Sequence, residues 1–335
     1  MNWRKRIALM SIFMIGIVMC AACKKNVGTP EDNAIVPESE DDGEEETEEI
    51  YKIGFSAIDM ENPYFITLES AVRDVLEDSD YEVITKDPGT DAKQQEKQIQ
   101  EMIEEGICAI ILSPVDWEKI MPSLEKLKEA GIKIINIDTQ VKDMSYVDAY
   151  IGSDNYNAGV ICGEDLIEKR PDGGKVAILE CPTQNSINER ITGFEETLSM
   201  AEKGFEVVAR EDTKGEFERA LAAAEKILKE HPDITAVMCG NDQIAVGAKT
   251  AANIAGLDEI LIYGVDGSPD IKKELKKSET QIAGTAAQSP ISMGKTAAKI
   301  TLSILNGESY EKETYEEVFM IDKDNVEMYG VDGWQ

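Results

Sequence analysis

The stretch "MCGNDQIAVGA", residues 238–248, decides how the rest of the chain is read. An apolar run, Ala236-Val237-Met238-Cys239, stops at Gly240-Asn241-Asp242. A helical pattern then starts, with Ile244, Ala245 and Ala248 on one face. This is strand, tight turn, helix. An Asn-Asp pair at that junction can cap the helix. It can also hold polar groups out to a ligand at the carboxyl end of a sheet.

The same unit recurs on both sides. Apolar runs at 53–57, 81–85, 108–112, 133–137 and 149–152 alternate with amphipathic stretches at 64–78, 91–105 and 117–130. A second set of runs, at 175–179, 205–209, 236–239, 260–265 and 281–285, alternates with helical patterns near 155–169, 187–203, 216–230, 243–255 and 290–306. Alternating strands and helices imply parallel sheets with right-handed crossovers. The strands are apolar runs rather than alternating ones, as sheets covered on both faces require. The fold class expected is α/β: two doubly wound lobes.

In such sheets ligands sit beyond the carboxyl ends of strands. The residues there are polar in both halves. The first half offers Asp59, Asn62, Tyr64 and Phe65, then Ser113 and Asp116, then Asp138, Thr139 and Gln140. The second offers Arg190, Asn241-Asp242, Asp266-Gly267 and Gln288. Carboxylates accept from hydroxyls, while Arg and amides donate. Aromatic rings cover the apolar face of a sugar ring. A cleft lined this way suits a small polyol. Other readings of single residues stay open: Asp138 and Asp266 as helix caps, Tyr64 or Phe65 as core, and Arg190 as the ion-pair partner of Glu189 or Glu195.

Eight stretches carry a resemblance: "IGFSAIDMENPYF" (53–65), "ILSPVD" (111–116), "IINIDT" (134–139), "IGSDNYNAG" (151–159), "NERITGF" (188–194), "AVMCGNDQIAVGA" (236–248), "IYGVDGSPD" (262–270) and "GTAAQSPISMGKTA" (284–297). In this order they resemble the type I periplasmic sugar-binding proteins, the family of the ribose- and galactose-binding proteins. The resemblance implies two lobes joined by three crossovers, near Asp154, Gln288 and Met320, that close on a ligand by a hinge. It assigns 50–154 plus 289–318 to an N-terminal lobe, and 155–288 plus 319–335 to a C-terminal lobe. It implies ligand contacts from Asn62, Tyr64, Phe65, Asp138, Thr139, Arg190, Asn241, Asp266 and Gln288, with Asn241 as ligand donor and cap together. Two positions depart from the pattern. Thr139 stands where many relatives have Arg, and Gly215 where many have an aromatic. A roomier pocket is expected, for a hexose, polyol, disaccharide or furanosyl compound.

The chain has 34 Lys+Arg against 66 Asp+Glu, a formal charge of −32. That balance excludes nucleic acid as a partner. It excludes charge-driven adhesion to anionic membranes as well. The N-terminal stretch, "MNWRKR" followed by an apolar run to Ala22, has the form of a signal peptide (1–22) rather than a spanning helix. Cys20-Ala21-Ala22-Cys23 resembles a lipobox, which implies acylation of Cys23 and a lipid anchor at the extracytoplasmic face of the membrane. Residues 23–49 read as an extended tether; 11 of the 24 residues from 26 to 49 are acidic. The four cysteines of the body, Cys108, Cys162, Cys181 and Cys239, read as buried thiols, with a Cys181–Cys239 bridge left open.

No cofactor and no metal site is expected. His231 is the single histidine, which removes His-based triads, and "SPISMGKT" lacks the first glycine of a phosphate loop. A monomeric importer component is expected, handing a sugar to an ABC permease. A surface sensor presenting a sugar or furanosyl signal to a receptor kinase would use the same lobes.

Overall fold

The computed structural model describes residues 50–335; the signal segment, Cys23 and the acidic tether lie outside the described residues. The chain runs β1 (Tyr51–Ser56), α1 (Pro63–Leu76), β2 (Tyr81–Lys86), α2 (Ala92–Glu104), β3 (Ile107–Leu112), α3 (Met121–Glu129), β4 (Lys133–Ile137), β5 (Ala149–Ser153), then α4 (Asn155–Lys169), β6 (Gly174–Glu180), α5 (Asn185–Ser199), β7 (Phe205–Asp212), α6 (Phe217–Glu230), β8 (Ala236–Cys239), α7 (Asp242–Ala255), β9 (Leu261–Asp266), α8 (Pro269–Leu275), β10 (Ile282–Ala287), α9 (Pro290–Leu305), β11 (Glu313–Glu316), β12 (Phe319–Asp322) and α10 (Val326–Tyr329).

Two six-stranded sheets result, ordered β11-β5-β4-β3-β1-β2 and β12-β10-β9-β8-β6-β7. All pairings are parallel except β10 with β12. Each sheet is covered on both faces. In the first, Ile53, Phe55, Ala109 and Ile111 pack against α1 and α9, while Ile110, Leu112 and Ile134 face α2 and α3. In the second, Val176, Ile178 and Met238 meet α4 and α5; Ala177, Leu179 and Val237 meet α6 and α7. The period of two in a strand distributes one apolar run between two cores.

The chain passes between the sheets three times: after Ser153, after Ala287, and between Glu316 and Phe319. Met320 itself lies within β12. The short elements α8, β11, β12 and α10 carry no readable period in the sequence. The helix expected from residue 117 starts at Met121, because Asp116 Oδ1 accepts from the amides of Glu118 and Lys119 and closes a turn first. All four body cysteines are free. Cys181 packs on the α4–α5 side of its sheet and Cys239 on the α6–α7 side, so no bridge joins them.

Helices α4 and α5 approach through glycine. A Cβ at Gly159 would lie 1.8 Å from the carbonyl oxygen of Arg190, and one at Gly193 would lie 2.1 Å from that of Tyr156. At Gly163 the nearest atom is the side-chain Cβ of Thr197, at 2.9 Å. Backbone cannot yield as a side chain can. Gly159→Ala is therefore expected to lower the unfolding temperature by several degrees, the scale of ~1–3 kcal/mol for overpacking, and to displace Arg190. Gly163→Ala should cost clearly less. Thermal unfolding of the two variants side by side checks the ranking.

Candidate ligand-binding site

The carboxyl ends of the two sheets face each other. Between them lies a narrow cavity of about 30 Å³, room for two or so water molecules at the ~10–15 Å³ each requires and below the usual ~300–1,000 Å³ of ligand cavities, so the closed cleft is not the roomier pocket expected. Asn62, Tyr64, Phe65 and Asp138 line it from the first lobe; Arg190, Asn241 and Asp266 line it from the second. Ile58, Asp59, Thr90, Gln184, Ser186, Lys214, Gly215 and Glu216 complete the wall.

The two aspartates are held in conformations that non-glycine residues rarely adopt, with φ 64° at Asp138 and 138° at Asp266. Each is pinned from several sides. The Asp138 amide donates to Ile151 O (2.9 Å), and Tyr150 Oη donates to the Asp138 carbonyl (2.7 Å). Tyr64 Oη and Ser113 Oγ reach the Asp138 carboxylate at 3.4 Å each. Gln288 Nε2 donates to Asp266 Oδ1 (2.8 Å), and the Gln288 amide donates to the Asp266 carbonyl (3.0 Å). Behind this turn Asp242, fully buried, accepts from the Ser268 amide (2.7 Å) and from Thr285 Oγ1 (2.8 Å). Strain of this kind persists where the surroundings over-determine it, and it clusters at functional sites.

Arg190 projects from α5 and is 3% exposed. Its Nε donates to Asn155 Oδ1 (2.9 Å) and its Nη1 to Gly240 O (2.8 Å), with Asp266 Oδ1 at 3.9 Å. Neither Glu189 nor Glu195 pairs with it: Glu189 takes Asn185, and Glu195 takes Arg210. Two of its five N–H donors are spent on those hydrogen bonds, leaving donors for a ligand beside two carboxylates.

The other expected contacts divide. Tyr64 and Phe65 both line the cavity and both belong to the first lobe's core, because the cavity floor is the end of that core. Asn62 and Asn241 line the cavity and cap helices: their Oδ1 atoms accept from the amides of Tyr64 (3.0 Å) and Ile244 (2.9 Å). Asn241 Nδ2 also donates to Gly215 O (3.3 Å), and that NH₂ has a second donor. Thr139 and Gln288 do not line the cavity. The Thr139 hydroxyl meets that of Ser186 in the opposite lobe, and Gln288 stands behind Asp266. Phe217 sits at the outer mouth with Glu216 and Glu218.

Sequence reading missed Thr90, on a loop, and Gln184, Ser186 and Glu216, at the starts of α5 and α6, where no periodic signal marks them. It missed Asn155 as well, whose place at the first turn of α4 after a crossover was the available clue. These residues also join the lobes. Thr90 Oγ1 donates to Glu216 Oε1 (3.1 Å), and the Trp117 amide donates to Thr183 O (3.0 Å). The lobes thus stand closed.

Burial pushes the carboxyls of Asp138, Asp242 and Asp266 up from their ordinary value, most strongly at Asp266, where Asp242 adds repulsion and Arg190 opposes both. Burial and then Asp138 push the Tyr64 phenol up, so it remains a neutral donor. A raised carboxyl keeps its proton in the native state where the unfolded chain has lost it. Stability from such a group is full below the ordinary carboxylate value of about 3.9 and falls as pH rises through the native value. Asp266→Asn is therefore expected to unfold at a higher temperature than wild type at pH 7, with the gap closing toward pH 4. Thermal unfolding across that range checks the sign.

Residues 53–309 match the periplasmic binding protein domain. The ribose import binding protein of Bacillus subtilis (strain 168) is 30% identical over 263 residues, 78% of this chain and 84% of the relative. The D-ribose/D-allose-binding protein of Pseudomonas aeruginosa is 29% identical over 280 residues, 80% of this chain and 86% of the relative. The ABC transporter solute-binding protein of Actinobacillus succinogenes 130z, solved with bound D-allose, superposes with a TM-score of 0.74 at 27% identity, covering 83% of this chain and 100% of that one. A glycerol-bound solute-binding protein from Mycobacterium smegmatis gives a TM-score of 0.79 at 25% identity, covering 84% and 97%. Two lobes of parallel sheet, a polar cavity between their carboxyl ends and a match across most of the chain agree: the chain belongs to the type I periplasmic sugar-binding family, whose members bind solutes and are not enzymes.

Proposed function

We propose that this chain is the extracytoplasmic solute-binding component of an ABC importer, taking a neutral sugar or polyol into the cleft between its lobes by hinge closure. One observation carries the reading: two buried aspartates, one from each lobe, converge with Arg190 on a single small cavity. Hydroxyl groups on adjacent carbons satisfy such a set, because each donates to a carboxylate and accepts from the guanidinium. The ribose and allose named for the relatives are ligands of that class.

Charge narrows it. Asp59, Asp138, Glu216 and Asp266 outnumber Arg190 and Lys214 on the wall. Like charge brought into such a site costs affinity. Thr139 supplies no second cation and is turned toward Ser186. A neutral ligand fits, and a sugar phosphate or uronate does not.

The anchor belongs to the same reading. No helix among the described residues is long and apolar enough to cross a membrane. A lipid on Cys23 and an extended acidic tether would hold a monomeric body just outside the membrane, beside a permease.

Calorimetry against a carbohydrate panel should find a tight neutral ligand, with its uronate or phosphate at least ~10-fold weaker. Asp138→Ala and Asp266→Ala should each lose about 10- to 150-fold in affinity, the ~1.5–3 kcal/mol of a charged hydrogen bond. Full affinity in both variants would refute the site. Small-angle scattering should show a smaller radius of gyration with ligand than without; identical curves would remove hinge closure. Cells fed a clickable fatty acid should label the wild type, and Cys23→Ala should lose the label.

A further inference from the structure

The three strand-to-helix and strand-to-strand passages are not the only places where the chain spans the two lobes. Tyr329 at the end of α10 and Val331 just beyond it pack on the core of the second lobe, on the α6–α7 side. Three residues later the indole of Trp334 packs on the core of the first lobe. Its ring lies edge-on to Tyr64, 5.9 Å between centroids at 71°. The segment 331–335 therefore bridges the lobes.

Both neighbours of Trp334 are fixed. Gln335 Nε2 donates to the carbonyls of Gln288 (2.8 Å) and Asp266 (3.1 Å), one on a crossover and the other on the strained aspartate. Gly267 makes this possible: a Cβ there would stand 2.3 Å from Gln335 Nε2. From the other side, the buried ammonium of Lys272 donates to Gly333 O (2.5 Å) and to Gln335 Oε1 (3.1 Å). A buried ammonium needs such acceptors, so the segment is held by a group that would otherwise lack them. Trp334 also walls a second cavity, about 140 Å³, that shares Asn62 and Asp266 with the ligand cavity.

We propose that segment 331–335 is a fourth tie across the hinge, and that Trp334 is the positioning residue that holds Tyr64 at the cavity and biases the lobes toward closure. Opening the cleft moves Tyr64 with the first lobe, whereas Gln335 and Lys272 keep the segment on the second. The aromatic contact must then break or stretch. Its loss in the open form favours the closed one.

The proposal rests on the cleft being the ligand site only in its effect on affinity, so the test has two arms, both on the full chain. Small-angle scattering without ligand should give a larger radius of gyration for Trp334→Ala than for wild type, with Trp334→Phe close to wild type because an edge-on ring remains. Lys272→Met, which removes the ammonium anchor at similar volume, should shift the curve in the same direction. In the second arm, D-ribose and D-allose are the probes in stopped-flow binding. Trp334→Ala should raise the dissociation rate about three- to tenfold, the scale of one aromatic pair, with the association rate within about twofold and Trp334→Phe restoring it. If the sugars bind neither wild type nor variant, the ligand reading is at fault and the scattering arm alone decides. Unchanged scattering for both Trp334→Ala and Lys272→Met overturns the tie. Unchanged scattering with an equal loss of affinity in the Ala and Phe variants does so as well, since a bare packing role would not distinguish them.

Discussion

A buried guanidinium organises this molecule. Removing Arg190 from water is tolerable only with acceptors around it, and four segments provide them. Asn155 comes from the start of α4, Gly240 O from the end of β8, Asp266 from the end of β9, and Asp138 adds favourable charge from the other lobe. Its backbone is set by the glycine contact of α4 with α5, where Gly159 leaves room for the Arg190 carbonyl. Helix packing, strand ends and cleft charge thus meet at a single side chain. A neutral residue there would leave Asp138 and Asp266 facing one another with no cation between them.

The cavity is unfavourable for the fold in several small ways at once. Two aspartates take positive φ, three carboxyls are buried, and Asp242 and Asp266 repel each other. None of these features stabilises the empty protein. They persist because each backbone is pinned by neighbours that have other reasons to be there: Ile151 in its strand, Tyr150 in the core, Gln288 on a crossover. The result is acceptors whose hydrogen-bonding capacity is unfilled and whose positions do not relax. A hydroxylated ligand fills that capacity without reorganising the site, which is the condition for tight binding of a small molecule.

Much of this was legible in the sequence, and the limits have physical causes. Parallel strands buried on both faces write themselves as apolar runs, so the strand ends, and hence Asp138, Asn241 and Asp266, could be placed by counting. Arg190 was found by its position early in a helix. The local patterns could not show direction. Thr139 and Gln288 sit at the right strand ends, yet one turns to Ser186 and the other stands behind Asp266, because neighbours across the cleft and along the sheet compete for them. Thr90 comes from a loop, and Gln184, Ser186 and Glu216 from the first positions of α5 and α6, where tertiary contacts and not a periodic pattern set which way the side chain turns. Trp334 carries no periodic signal in the sequence; what fixes its neighbours is Lys272, 62 positions away, a buried charge that an amphipathic pattern cannot reveal.

Closure itself poses an energetic question that the arrangement of contacts answers. The polar pairs across the mouth, Thr90 with Glu216, Thr139 with Ser186 and the Trp117 amide with Thr183 O, exchange hydrogen bonds to water for hydrogen bonds to protein. Such exchanges contribute only about 0.5–1.5 kcal/mol each. The rim is also acidic on both sides, with Asp59, Glu61 and Asp87 facing Glu216 and Glu218, so bringing the lobes together raises repulsion. The rim therefore supplies register rather than driving force. Apolar burial and ligand bonds must do the rest, and within the cleft the apolar surface comes from Ile58, Tyr64 and Phe65, with the ring of Trp334 behind Tyr64. A hinge whose closed form is only weakly favoured without ligand can respond to a small molecule. That balance follows from placing charge at the mouth and aromatic rings at the back.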